Sequence, residues 1–176
     1  MRDGVQHREV ALTMADRPFD EPAGFAEWVA PYVRMLAALA VREVGRSDAD
    51  DVVQDALVRA WWRRATFDPD RGTARAWLVA VLLDQARRHR LRRIRRTSLA
   101  APGSAEAVLV PTDAARIDID RAVRALPRRQ RQVITLFYLA DLSVAEVASV
   151  LGISAGSVKS HLHDARQSLR IALEER

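Results

Sequence analysis

Between Ser143 and Leu173 the chain carries a short capped helix, a glycine turn and a second helix, and this arrangement narrows the fold more than any other feature. Ser143-Val144-Ala145-Glu146 is a capping-box pattern, in which the serine oxygen accepts an early backbone N–H and the glutamate reaches back to the cap. The spacing predicts a short helix to about Leu151. Gly152-Ile153-Ser154 then makes a tight turn with an apolar centre. Ser154 can cap a last helix that runs to about Leu173 through Val158, Leu162, Ala165, Leu169 and Ile171. The small Ala148 suits close contact between the two helices, and a pair joined in this way forms a helix-turn-helix.

The rest of the chain also reads as helix. Phe25, Trp28, Val29, Tyr32, Val33, Leu36 and Leu39 recur at helical spacing from Pro22, with Gly45 offering a left-handed stop. Asp48 can cap a second helix, whose inner face is Val52, Val53, Ala56, Leu57, Ala60 and Trp61 and which ends near Thr66. Phe67 to Gly72 reads as a turn, because Pro69 disfavours helix at Asp68 and Gly72 tolerates unusual backbone angles. A third helix begins about Thr73; its first half packs through Trp77, Leu78, Val81 and Leu82, and its second half is arginine-rich. Ile117 to Leu126 opens a further helix. Pro127 then starts another, with Val133, Ile134, Phe137 and Tyr138 on its apolar side and a break at Asp141-Leu142. With only 7 glycines and 7 prolines in 176 residues, an all-α fold of two small helical domains is expected. The boundaries are a flexible lead-in over 1–21, a first domain over 22–96, a flexible linker over 97–116 and a second domain over 117–176.

Charge is concentrated in one place. The formal net charge is +5, but the run from Arg87 to Arg96 holds seven arginines and no acid, so the remainder nets about −2. A local cationic stripe beside a mildly acidic remainder predicts a polyanion at one surface and a different partner elsewhere. Each arginine that meets a phosphate releases counterions without selecting sequence. The aromatic Phe67 and Trp77 near that run are the kind of side chain on which single-stranded bases stack. In a helix-turn-helix the second helix enters the major groove by its N-terminal end. The candidates there are Ser157, Lys159, Ser160, His161 and Arg166, with Ala155 able to meet a thymine methyl.

The chain has no cysteine, so it has no disulfide and no cysteine-ligated zinc. No metal or cofactor is expected. Asp48, Asp50, Asp51 and Asp55 begin a regular helix and present too few convergent oxygens for a hard cation; helix-dipole compensation explains Asp48 and Asp50, and docking on a protein is the alternative for Asp51, Gln54 and Asp55, which lie further in. Trp28, Trp61 and Trp77 fall in apolar stripes and are expected in the core; Trp62 falls outside one and is expected at the surface. With one lysine, scattered histidines and no phosphate loop or nucleophile elbow, the chain reads as a non-enzyme. The apolar stretch Ala76 to Leu83 is far below a membrane span, and a cytoplasmic protein without membrane insertion is expected.

Several of these motifs together carry a family resemblance. They are Asp48-Ala49-Asp50-Asp51-Val52-Val53-Gln54-Asp55, Ala76-Trp77-Leu78 ahead of the arginine run, Ala125-Leu126-Pro127 with Gln130-Arg131, and Leu142 through Gly152 to Ser160. In order and spacing the set resembles the two-domain sigma factors of the extracytoplasmic-function group in the sigma-70 family. The resemblance implies that the first domain is region 2 and docks through Asp51, Gln54 and Asp55 on the β′ clamp helices of core RNA polymerase. It implies that Phe67 and the following helix open the −10 element, with Asp84, Arg87, Arg88, Arg90, Arg92 and Arg93 near the captured strand. Region 4 would read the −35 element of promoter DNA through Ser157, Lys159, Ser160, His161 and Arg166 while its other faces meet the β flap. By analogy an anti-sigma factor is implied as a further partner. Two positions depart from the family pattern: Asp84 stands where asparagine is usual, and His161 stands where arginine is frequent in the recognition helix. The competing reading is a stand-alone helix-turn-helix regulator of duplex DNA, which leaves the Asp-rich helix, Trp77 and the arginine run without a role.

Overall fold

The computed structural model describes residues 21–97 and 114–174. Most of the expected lead-in and of the expected linker lies outside the described residues. The described residues form seven α-helices: α1 (Pro22–Val44), α2 (Arg46–Arg63), α3 (Ala74–Thr97), α4 (Ala114–Ala125), α5 (Arg128–Tyr138), α6 (Val144–Leu151) and α7 (Ala155–Glu174). Two single turns of 3-10 helix, Arg64–Thr66 and Pro69–Arg71, join α2 to α3.

Contacts divide the chain into compact units at Pro31, within α1. Pro31 has no N–H to give the carbonyl one turn earlier, which weakens the helix at that point. In the first unit Phe25 and Val29 are buried, and the rings of Phe25 and Trp28 stand 5.9 Å apart.

The second unit runs from Tyr32 and contains two helical groups. In the first, α2 packs on α3, burying Ala49, Val52, Val53, Ala56 and Ala60 from one and Leu78, Val79, Leu82 and Ala86 from the other. Leu36, Leu39 and Ala40 of α1 are also buried. By length and composition α1 could cross a membrane; burial of these three side chains instead marks its C-terminal half as a core helix. In the second group α7 packs on α4, α5 and α6. Val133, Leu136, Ala140, Leu142, Val147, Val158 and Leu162 are among its buried apolar side chains, with Val123, Leu126, Ile134 and Ala165 in one cluster that Leu169 covers.

Local signals account for the helix ends. Gly45 has φ +88° and separates α1 from α2. Ser143 and Glu146 form the complete capping box at α6, and Gly152 ends that helix in the left-handed conformation at φ 63°. The Ser157 N–H donates to Ser154 Oγ at 3.0 Å, the contact expected of a cap on α7. Helix α5 ends through a bond from the Leu142 N–H to the Leu136 carbonyl, with Asp141 at φ 50° where glycine is the usual residue.

Three expectations need correction. Gly45, not Asp48, is the cap residue of α2, and Asp48 sits in the first turn. Trp28, Trp61 and Trp77 are only half-buried, since an indole spans a helix stripe and still reaches its edge. Tyr138 is 60% exposed despite its place beside Phe137, whereas Trp62, at 72%, is the surface aromatic expected.

Candidate nucleic-acid and protein interface

Helix α2 presents Asp51, Gln54 and Asp55 to solvent. The exposed Val58 and Trp62 continue the same face, since spacings of four, three and four residues return to one side of a helix. Asp55 Oδ2 lies 3.8 Å from Arg92 of α3, an exposed pair of little energetic weight. The acids nearest the arginine run are spent internally. Asp48 lies 3.4 Å from Arg93 and 3.8 Å from His89, and Glu43 of α1 accepts from Arg90 at 2.5 Å. These side chains, with Val44 and Ile94, line an open cleft of about 590 Å³.

The expected strand-binding residues therefore differ in setting. Arg90, Arg92 and Arg93 lean back toward acids of α1 and α2. Arg87 and Arg88 both reach Asp84, at 3.2 and 2.8 Å, from the solvent side of α3. Partial burial raises the Asp84 pKa, but the hydrogen bonds and charges of Arg88 and Arg87 outweigh it and hold the carboxyl below its ordinary value. Phe67 is half-buried with its ring 5.7 Å from that of Trp77. Asp68 fixes the turn between them by accepting the Asp70 N–H at 3.0 Å.

On α7, buried Val158, Leu162 and Ala165 turn Lys159 and Ser160 outward, while Ser157 and His161 are partly covered. Ser157 Oγ is 2.9 Å from Ser154 Oγ, so part of its hydrogen-bonding capacity serves the cap. Arg166 donates from Nε to Tyr138 Oη at 3.0 Å and lies over the rings of Tyr138 and Phe137 at 5.6 and 5.8 Å. It thus ties the far end of the groove-facing surface to α5.

Sequence reasoning missed Thr73, Arg75, Asp120, Asp141 and Tyr138 as participants. Thr73 Oγ1 donates to Glu146 Oε1 at 2.5 Å, Arg75 pairs with Asp141 at 2.5 Å, and Arg42 pairs with Asp120 at 2.7 Å. Thr73 also accepts the Ala76 N–H at the start of α3, the one role a sequence reading could have assigned it.

Burial pushes the Glu146 carboxyl upward, but hydrogen bonds from Thr73 and from the Ser143 N–H and hydroxyl, with the Arg75 charge, bring it below the ordinary glutamate value of 4.5. Its contribution to stability is present above that value and is lost as the pH falls through the lower folded one. Thermal melts between about pH 5 and pH 3 should lose this contribution in the parent but not in Glu146→Gln, which keeps the capping-box pattern and removes only the titrating charge. Parallel pH dependence of the two proteins would contradict the assignment.

Residues 28–97 match Sigma-70 region 2 and residues 116–169 match Sigma-70, region 4. The ECF RNA polymerase sigma factor SigL of Mycobacterium tuberculosis is 33% identical over 151 residues, spanning 82% of this chain and 85% of the relative. The RNA polymerase sigma factor CnrH of Cupriavidus metallidurans is 35% identical over 167 residues, spanning 85% and 86%. A solved structure of CnrH in complex with the cytosolic domain of CnrY is 32% identical with a TM-score of 0.65, over 90% of this chain and 92% of that one. The sigma factor RpoE of Bartonella quintana, solved with the anti-sigma factor NepR, shares the fold at a TM-score of 0.76 and 24% identity, over 85% of this chain and 96% of that one.

Proposed function

The chain belongs to the extracytoplasmic-function group of the sigma-70 family and is an RNA polymerase sigma factor, and from that premise we propose how its surfaces divide the work. Two domains, 22–96 and 117–176, are joined by a linker over 97–116. The exposed face of α2 from Asp51 through Gln54 and Asp55 docks on the β′ clamp helices of core polymerase. Phe67 beside Trp77 offers a stacking platform for an unpaired base of the −10 element, and Arg87, Arg88, Arg90, Arg92 and Arg93 hold its phosphates. The N-terminal half of α7, with Ser157, Lys159, Ser160 and His161, reads the −35 duplex from the major groove while Arg166 steadies its far end.

One observation carries this division: the helix-turn-helix shares its chain with a second helical group whose α2 presents exposed carboxylates while its α3 carries arginines. A duplex-binding regulator needs only the first. The chain supplies recognition and strand separation, and the phosphodiester chemistry belongs to the polymerase; that partnership places the protein in the cytoplasm. CnrH and the Bartonella RpoE were each solved with a protein bound, CnrY and NepR, which supports an anti-sigma factor as a further partner here.

Run-off transcription from a pooled promoter library tests the reading, comparing core polymerase alone with core plus this protein. New start sites that depend on the protein are expected. Binding to duplex DNA without binding to core would replace the proposal with the stand-alone regulator.

Asp84 bears on promoter choice. A carboxylate can accept from an exocyclic amine but cannot donate, and here it also occupies Arg87 and Arg88. Asp84→Asn should change the preferred −10 base and, by releasing two guanidinium groups toward phosphate, strengthen single-strand binding roughly threefold to tenfold at low salt. Identical base preference in transcription from −10 variants would refute this.

A further inference from the structure

Two exposed side chains meet where α7 packs on α5. Arg166 donates from Nε to Tyr138 Oη at 3.0 Å, and its guanidinium carbon lies 5.6 Å from the centre of the Tyr138 ring and 5.8 Å from that of Phe137. The two rings stand edge to face at 5.1 Å. Tyr138 keeps 60% of its surface exposed, so the core has little use for it, and the group it engages is Arg166.

A guanidinium is planar and offers its N–H groups in a fixed fork. With Nε engaged by the phenol, the end formed by Nη1 and Nη2 still presents two parallel donors, the arrangement that takes a phosphate bidentately. The orienting group is also neutral. Arg42, Arg75, Arg87 and Arg90 each pair with a carboxylate, which orients an arginine but offsets its charge and repels a phosphate. Among the described residues Arg166 pairs with no carboxylate; a phenol fixes its direction and leaves the charge whole.

Position along α7 indicates which part of a duplex this arginine meets, and this step rests on the proposed reading in which the N-terminal half of α7 enters the major groove. Lys159, His163 and Arg166 share a face, because steps of four and three residues return to one side of a helix. From Lys159 to Arg166 the helix advances about 10.5 Å at 1.5 Å per residue, whereas the major groove is about 8.5 Å deep. A side chain set back by more than the depth of the groove stands level with the phosphate rim rather than with base edges.

We propose that Tyr138 is a positioning residue for −35 binding: its hydroxyl, with the Phe137 ring beside it, holds the Arg166 guanidinium in advance so that Nη1 and Nη2 meet a backbone phosphate at the rim of the groove. An arginine ordered before the encounter loses less side-chain freedom on binding, which adds affinity without adding base choice. The phenol itself releases no counterion; the arginine it holds does.

Promoter complexes of core polymerase and the full chain, formed on a duplex recovered from the run-off library, test the role through a double-mutant cycle. Tyr138→Phe keeps the ring and loses the acceptor, and should weaken the complex about threefold to tenfold. Arg166→Ala should weaken it by about tenfold or more and lower the slope of log affinity against log salt by about 0.9. In that background Tyr138→Phe should change affinity by less than about twofold. Arg166→Lys keeps the charge but not the fork, and should be equally insensitive to Tyr138→Phe. Tyr138→Glu should cost more than Tyr138→Phe, because a carboxylate offsets the charge that the phosphate needs. A loss from Tyr138→Phe that is the same with and without Arg166 would show that the phenol acts by itself and would overturn the proposal, as would a Tyr138→Glu complex as tight as the parent's. A measurement without DNA or polymerase separates this role from the promoter reading: in the free chain, exchange of the Arg166 Nε–H with water, followed by NMR, should be slow in the parent and faster in Tyr138→Phe. Equal exchange in the two proteins would overturn the positioning role whatever the transcription result. Slowed exchange in a parent that directs no start sites would instead overturn the promoter reading, and the −35 role with it.

Discussion

Core polymerase supplied with the Asp51→Arg, Asp55→Arg double variant should yield at least about 100-fold less run-off transcript than with the parent chain. Placing like charges across a docking surface costs several kcal/mol, and both reversals lie on the exposed face of α2. The same exposure protects the fold. Asp51 has no role in the α2 and α3 core, and the Asp55 contact with Arg92 is a 3.8 Å pair between side chains more than half exposed. Thermal melts should therefore stay within about 0.5 kcal/mol of the parent. Gln54→Ala, which removes a hydrogen-bonding group without reversing charge, should weaken transcription far less. Full transcript yield from the folded double variant would show that α2 is not the docking surface.

The second large effect is expected at Leu136. Its side chain is 1% exposed in α5, between the buried Val133 and Ala140, and its carbonyl accepts the Leu142 N–H that closes the helix. Truncating a leucine so enclosed costs about 2–5 kcal/mol, through lost transfer energy and the cavity left behind. A domain of some 60 residues has limited stability to lose. Leu136→Ala should therefore unfold much of the C-terminal group near physiological temperature and abolish −35 duplex binding, while amide protection persists in α2 and α3. An unchanged melting temperature would mean that α5 is not essential to that core.

What could be read in advance follows from the range of each interaction. The helix-turn-helix was legible because its determinants are local: Ser143 and Glu146 are three residues apart, and Gly152 needs only its own left-handed backbone. Gly45 gave the end of α1 for the same reason. Asp48 was misassigned because Gly45, three residues upstream, offered an earlier start, and because its counter-ions His89 and Arg93 lie some 40 residues away. Periodicity placed Tyr138 on the apolar side, but it cannot reveal that a phenol will emerge to accept a bond from Arg166. Helical spacing likewise located the arginine run without showing which acids α1 and α2 would bring to it. The contact between Thr73 and Glu146 was the least legible, because the two are separated by 73 positions and neither belongs to a motif of the other.

Asp141 shows what this arrangement means for divergence between related chains. Its backbone sits at φ 50°, a conformation that glycine adopts more easily. A single base change converts an aspartate codon to a glycine codon, so drift toward the more relaxed backbone is always near at hand. That change would also delete the partner of Arg75. Position 141 is therefore where local backbone comfort and coupling between the two helical groups pull in opposite directions, and where a lineage could lose the coupling in one step without damaging either group.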